Sequence, residues 1–167
     1  MKAEALEMPS DNEVRELIGQ LREKSQDLER RSQTEGNTSY LFEAAELCGY
    51  VAILKLEIGD PKGAAIQHGH AARYLREYLD RPLSMEERIE VVGLKYQHDL
   101  SSFLIRERME EHEGRIHQNR RRLCLDLGQA IDGAIKMKRF TGQKELWENR
   151  IQKLQEYRDE YNPSGRK

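Results

Sequence analysis

Five histidines are the residues of this chain best suited to hold a metal or move a proton, and their spacing argues against both. His68 and His70 stand two positions apart, which on a helix turns them about 200° from each other. His112 and His117 are five apart and diverge as well. The run His112-Glu113-Gly114-Arg115-Ile116-His117 lacks the four-residue step that lets the imidazoles of His-Glu-x-x-His share one zinc ion. Glu113 and His117 have the spacing of a surface ion pair, which is their expected role. The paired Glu-x-x-His motif of di-iron bundles is absent. Ser101 and Ser102 fall within a helical pattern, with no nucleophile elbow around them. Neither type of glycine-rich phosphate loop occurs. Enzyme chemistry has no evident carrier, so a non-catalytic chain without metal or cofactor is expected.

Arginines offer a different chemistry, the recognition of anions. Arg108, Arg115 and Arg122 are seven apart, which on one continuous helix would make a single stripe. With Arg120 and Arg121 they form a cluster able to meet phosphates, and contact with nucleic acid is one candidate function. Glu107, Glu110, Glu111 and Glu113 interrupt the same stretch, and no aromatic residue is interleaved for base stacking. A solvated, salt-bridged face is therefore the expectation for this cluster, with nucleic acid as the alternative.

The 167 residues carry a net charge of -2, with 35% charged and 37% hydrophobic residues. Balanced charge gives no global field toward polyanions or anionic lipid. The longest uninterrupted apolar run, Tyr50 to Leu54, is far short of the ~20 residues of a membrane helix, and residues 1–9 have no apolar signal-peptide segment. Cys48 and Cys124 sit between apolar neighbours and read as small buried hydrophobes, which favours a reducing, cytoplasmic location.

The elements that must position these residues are helices throughout. Ser10-Asp11-Asn12-Glu13 is a capping box that opens a first helix with Val14, Leu17, Ile18, Leu21 and Leu28 on one stripe. A second helix, about 39–58, is apolar on almost every side and should be central. Gly59-Asp60-Pro61 ends it and starts a third helix to about Asp80. Ser84-Met85-Glu86-Glu87 is a second capping box, followed by Ile89, Val92, Tyr96, Leu100, Phe103 and Leu104 facing inward. From 105 to 122 the pattern thins, consistent with one long helix or with a break near Gly114. A stripe resumes from Leu123 to Ile135, and Thr141 is placed as the cap of a last helix carrying Trp147. A single helical domain is expected over 10–161, with disordered ends at 1–9 and 162–167.

A short motif recurs three times, as Ala45-x-x-Cys48-Gly49-x-x-Ala52, Ile89-x-x-Val92-Gly93-x-x-Tyr96 and Cys124-x-x-Leu127-Gly128-x-x-Ile131. A helical glycine costs about 1 kcal/mol against alanine, so each is expected to admit a neighbouring helix closely. The pattern resembles the first-helix signature of tetratricopeptide repeats, with Gly59-Asp60, Ala64 and Ala71 matching the turn and small positions of the first hairpin. The resemblance spans roughly residues 40–160. It implies an all-α fold of antiparallel hairpins stacked as a short solenoid, the alternative being a helical bundle. It also implies an adaptor that binds a peptide or helical segment in a groove. Positions beside the glycines would line that groove: Glu46 and Tyr50, Glu90 and Leu94, Leu125 and Gln129. With Glu46 and Glu90 leading, a basic or amphipathic segment is the expected partner. A second copy of the chain is a further candidate, through the sparse 105–122 stretch.

Overall fold

The computed structural model describes residues 9–161 of the 167, apart from the side chains at 117 and 118. The segments expected to be disordered, 1–9 and 162–167, lie outside the described residues except for Pro9. Six helices follow one another: α1 (Asp11–Glu35), α2 (Tyr40–Glu57), α3 (Pro61–Tyr78), α4 (Met85–His112), α5 (Ile116–Thr141) and α6 (Lys144–Tyr161). No strand occurs among the described residues. The chain is all-α, with connections of two to six residues that turn each helix back along the one before it. The extensive packing is between sequence neighbours, from α1·α2 through α5·α6.

Local chemistry sets the helix ends. At α1 the Glu13 amide donates to Ser10 Oγ (3.4 Å) while the Glu13 carboxylate accepts from the Ser10 amide (2.7 Å). Ser84 and Glu87 repeat the arrangement at α4, at 3.2 and 2.8 Å. Such caps are worth about 1 kcal/mol each. Gly59 takes the left-handed conformation (φ 72°), and the amides of Gly59 and Asp60 reach back to the carbonyls of Leu56 and Lys55. Asp60 then turns its carboxylate to the Gly63 amide at 2.8 Å and opens α3. Gly114 does the same job after α4, at φ 66°, with the Gly114 and Arg115 amides bonded to Glu111 and Glu110. So 85–122 is two antiparallel helices. Thr141 differs from expectation: it is the last residue of α5, its hydroxyl bonded to the Met137 carbonyl, and left-handed Gly142 makes the turn.

The core is divided, and α4 belongs to both parts. Val91 joins Leu28, Leu41, Ala44, Leu47, Tyr74 and Leu75 in a cluster built on α1–α3. Val92, one position on and 100° around the helix, joins Phe103, Leu123, Leu127, Ile131 and Trp147 in a cluster built on α4–α6. A smaller group, Val14, Ile18 and Val51, ties α1 to α2. Burying a side chain such as Phe103 or Leu75 contributes about 1.5–3 kcal/mol.

Three inward expectations are corrected. Leu17 and Leu104 are 44% and 45% exposed, because Ile18 and Phe103 beside them take the core direction. α2 is not enclosed on all sides either: α1 and α3 cover it, while Tyr50 and Ile53 stand more than half exposed on its outer face.

Candidate functional site

A groove of about 1040 Å³ has α4 as its floor and α3 and α5 as its walls. The floor is one stripe of α4, spaced by threes and fours: Arg88, Val92, Lys95, Asp99, Ser102 and Arg106. From Arg88 to Arg106 it runs about 27 Å, the length of five helical turns. Ile66 and Leu125, 40% and 56% exposed, offer apolar contact from the two walls. Gly69 and Gly128 leave room beside them, since a Cβ at either would meet nothing within 4 Å.

Two buried carboxylates sit on or against this floor. Asp99 is 3% exposed and takes Lys95 Nζ at 2.6 Å, one turn earlier on α4. Asp126 of α5 is 7% exposed and stands between Arg106 (3.3 Å) and Arg122 (3.4 Å). Burial pushes both carboxyl groups above their ordinary range, and the neighbouring cations pull the other way. Asp126 Oδ2 has no well-aligned hydrogen bond among the described residues, although the Arg106 guanidinium lies beside it. Ser102 is used structurally, donating to the Ala65 carbonyl at 3.1 Å. The described residues contain no group of three metal-ligating side chains. What this arrangement can do is pair with charges presented along a bound segment.

The lining carries eight arginines and lysines against four aspartates, in a chain whose net charge is negative. This is the reverse of the acidic, apolar groove expected from the positions beside the glycines. Of those positions only Leu125 and Gln129 line the groove. Glu46, Tyr50 and Glu90 are exposed away from it, and Leu94 is half-buried against the α1–α3 core. The causes are two: the groove uses the Arg88–Arg106 side of α4 and not the Glu90–Leu94 side, and α2, which carries Glu46 and Tyr50, does not line it.

The glycines are corrected. Gly49 faces the tip of the His98 side chain and Gly93 is in ordinary contact with the end of Met137, so neither marks a close approach of backbones, and Gly128 opens onto the groove. A close approach to the backbone of a neighbouring helix is at Gly133, where a Cβ would come within 3.1 Å of Tyr96 Cβ and 3.4 Å of its Cα.

The arginine cluster is also redistributed. Arg108 belongs to α4 and Arg122 to α5, with Arg115 in the turn between them, so the stripe does not exist. Arg115 is paired with Glu110 and Glu113. Arg122 is drawn to Asp126 and into the groove, Arg120 is half-buried, and Arg108 and Arg121 remain exposed. Glu113 thus meets Arg115, while the proposed partner His117 has its side chain outside the described residues.

His68 turns to His98 instead of His70. Their Nδ1 atoms lie 2.9 Å apart between α3 and α4, so one ring donates a proton to the other. Burial pushes His98 down to about 4 and lowers His68 as well. Cys48 is buried beside Ser25, and Cys124 is half-buried in the groove wall; both thiols are free.

The groove residues that sequence reasoning missed, Arg76, Lys95, Asp99 and Asp126, did leave a signal. Asp126 interrupts the run Leu123–Leu127, and Lys95 and Asp99 share one helical face with Arg88 and Arg106. Compared with protein-family models, curated proteins and solved structures, the chain matches none.

Proposed function

We propose that this chain is a non-catalytic interaction module, and that its α3–α4–α5 groove binds an acidic, amphipathic segment of a partner protein. The observation that carries this reading is the sign of the lining: a basic excess concentrated in one elongated concavity of a chain with net charge -2. Ile66 and Leu125 supply the apolar contacts that a helix laid in a groove needs. The tetratricopeptide resemblance carries the same adaptor role, with the partner's charge reversed and the contact surface moved. Two free cysteines fit the reducing, cytoplasmic setting that this proposal includes. Among the described residues no helix is long and apolar enough to cross a membrane.

Fluorescence anisotropy with a labelled helical peptide of glutamates and leucines, beside its lysine-for-glutamate counterpart, tests the reading. The acidic peptide is expected to bind tighter, to weaken as salt rises, and to be lost in Leu125→Asp, an exposed position whose change leaves the core intact. Preference for the basic peptide, or unchanged affinity in Leu125→Asp, would overturn it. Nucleic acid is the competing polyanion, favoured by exposed Arg108 and Arg121. It predicts that Arg120→Glu with Arg122→Glu abolishes oligonucleotide binding, with a steep salt slope. Self-association is the third reading, and a monomeric mass by light scattering at every concentration would remove it.

A further inference from the structure

One end of the groove is built differently from the other. At the α5 N-terminal end the cations are already spent: Arg106 and Arg122 both face Asp126. At the opposite end Arg76, Arg88 and Arg139 enter from three helices, and none has a carboxylate ion pair among the described residues. The packing register brings them together. His68 against His98 and Ser102 against Ala65 fix α3 on α4 so that Arg76 stands level with Glu90 and Val91. Gly133 against Tyr96 and Gly93 against Met137 fix α5 so that Arg139 stands at that same level on the facing wall. Arg88 rises from the floor about one turn away, its guanidinium donating to the Leu79 and Arg81 carbonyls, both at 3.5 Å. Carbonyls orient it without neutralising it. The acidic residues lining this end are Asp132, which Lys136 takes at 2.9 Å, and Asp80.

Arg76 feels the Asp99 carboxylate at longer range, but none of the three guanidinium groups has a carboxylate within ion-pair distance among the described residues, so this end of the groove favours an added anion. One carboxylate satisfies one such fork; a tetrahedral dianion with three terminal oxygens can accept from all three directions. We propose that this end of the groove recognises a phosphoryl group on a side chain of the bound segment, held by Arg76, Arg88 and Arg139. The inference rests on the groove reading above. It adds that phosphorylation of the partner strengthens binding, by supplying a dianion to these arginines.

The test uses the full chain and two labelled peptides of one acidic sequence, one with serine and one with phosphoserine at its centre. Both are titrated at fixed ionic strength, with inorganic phosphate followed separately through the arginine Nε–H signals by NMR. The phosphopeptide is expected to bind at least about tenfold tighter than its serine twin, the return from a few charge-assisted contacts. Arg76→Gln or Arg139→Gln should remove that advantage, weakening the phosphopeptide far more than its serine twin, Arg121→Gln should leave both, and Asp80→Asn should enlarge the advantage. Equal binding of the two peptides overturns the phosphoryl site and leaves the groove reading standing. Failure of both peptides, with inorganic phosphate still shifting Arg76, Arg88 and Arg139, upholds the anion site and overturns the groove reading. Failure of peptides and phosphate together overturns both, and tighter binding of a single-stranded oligonucleotide than of the phosphopeptide overturns the assignment to a protein segment.

Discussion

Gly133 and Gly128 sit five positions apart in α5, yet the surroundings of their α-carbons are opposite. Alanine at 133 would press its Cβ to 3.1 Å from the Tyr96 Cβ and 3.4 Å from its Cα, and backbone cannot step aside cheaply. Gly133→Ala is expected to cost about 1–3 kcal/mol through overpacking. Gly128→Ala meets open space and should stabilise by about 0.5–1 kcal/mol, the helix preference of alanine over glycine. Urea melts of the two variants measure both signs. The His68–His98 pair makes a second prediction at this scale. Its position between the nitrogens holds one proton, and burial keeps His98 neutral down to about pH 4 in the folded chain. An unfolded histidine takes up its proton near 6.5, so the unfolded state binds more protons below that pH. Stability from His98 is therefore complete above about 6.5 and falls as pH drops toward 4, by up to about 3 kcal/mol. Melts of wild type and His98→Gln between pH 4 and 7 should converge as the pH falls. The histidines were present in the sequence, but their partnership was not. Sixty-eight and 98 meet only because α3 and α4 pack in one register, which no local spacing encodes.

Helix ends were the most legible part of the fold, because a cap is a contract between residues three apart. Both capping boxes and the Gly59-Asp60-Pro61 turn are where their side-chain chemistry puts them. Gly114 resolves the open question of 85–122 by the same logic, as a left-handed residue whose flanking amides close the end of α4. A side chain in that conformation is strained, so Gly114→Ala should cost about 1–2 kcal/mol, measured by thermal or urea unfolding. Helix faces were less legible than helix ends. The apolar surround of α2 says that it is buried somewhere, not by how many neighbours. Consecutive packing gives it two, and Tyr50 and Ile53 stay outside. Thr141 shows the limit from the other side: Thr141-Gly142 marks a turn correctly, yet the threonine is the last residue of α5, its hydroxyl donating to the Met137 carbonyl and accepting from the Gln143 amide ahead of α6.

Across the molecule, two clusters joined through α4 make a stack whose halves share one helix. Such a chain opens in parts rather than all at once. Phe103→Ala, at a side chain with no exposure, should cost about 3–5 kcal/mol. Hydrogen exchange should then speed up in α5 and α6 well before α1 and α2, because Phe103 belongs to the α4–α6 cluster. At this scale the sequence could say that the chain is helical and that its charges are nearly balanced, 28 basic against 30 acidic. Which charges share a concavity depends on the rotation of α4: Glu90 and Leu94 lie off the groove side of that helix, and Glu46 and Tyr50 belong to α2, which does not line the groove. The central claim is that the groove between α3 and α5 is where a partner lies. Amide chemical-shift mapping of the full chain with the acidic helical peptide tests it most directly. The account predicts perturbations that follow Ile66, Gly69, Leu125 and Gly128 along the groove. Perturbations gathered on Tyr50 and Ile53, or on Arg108 and Arg121, with the groove silent, would contradict it.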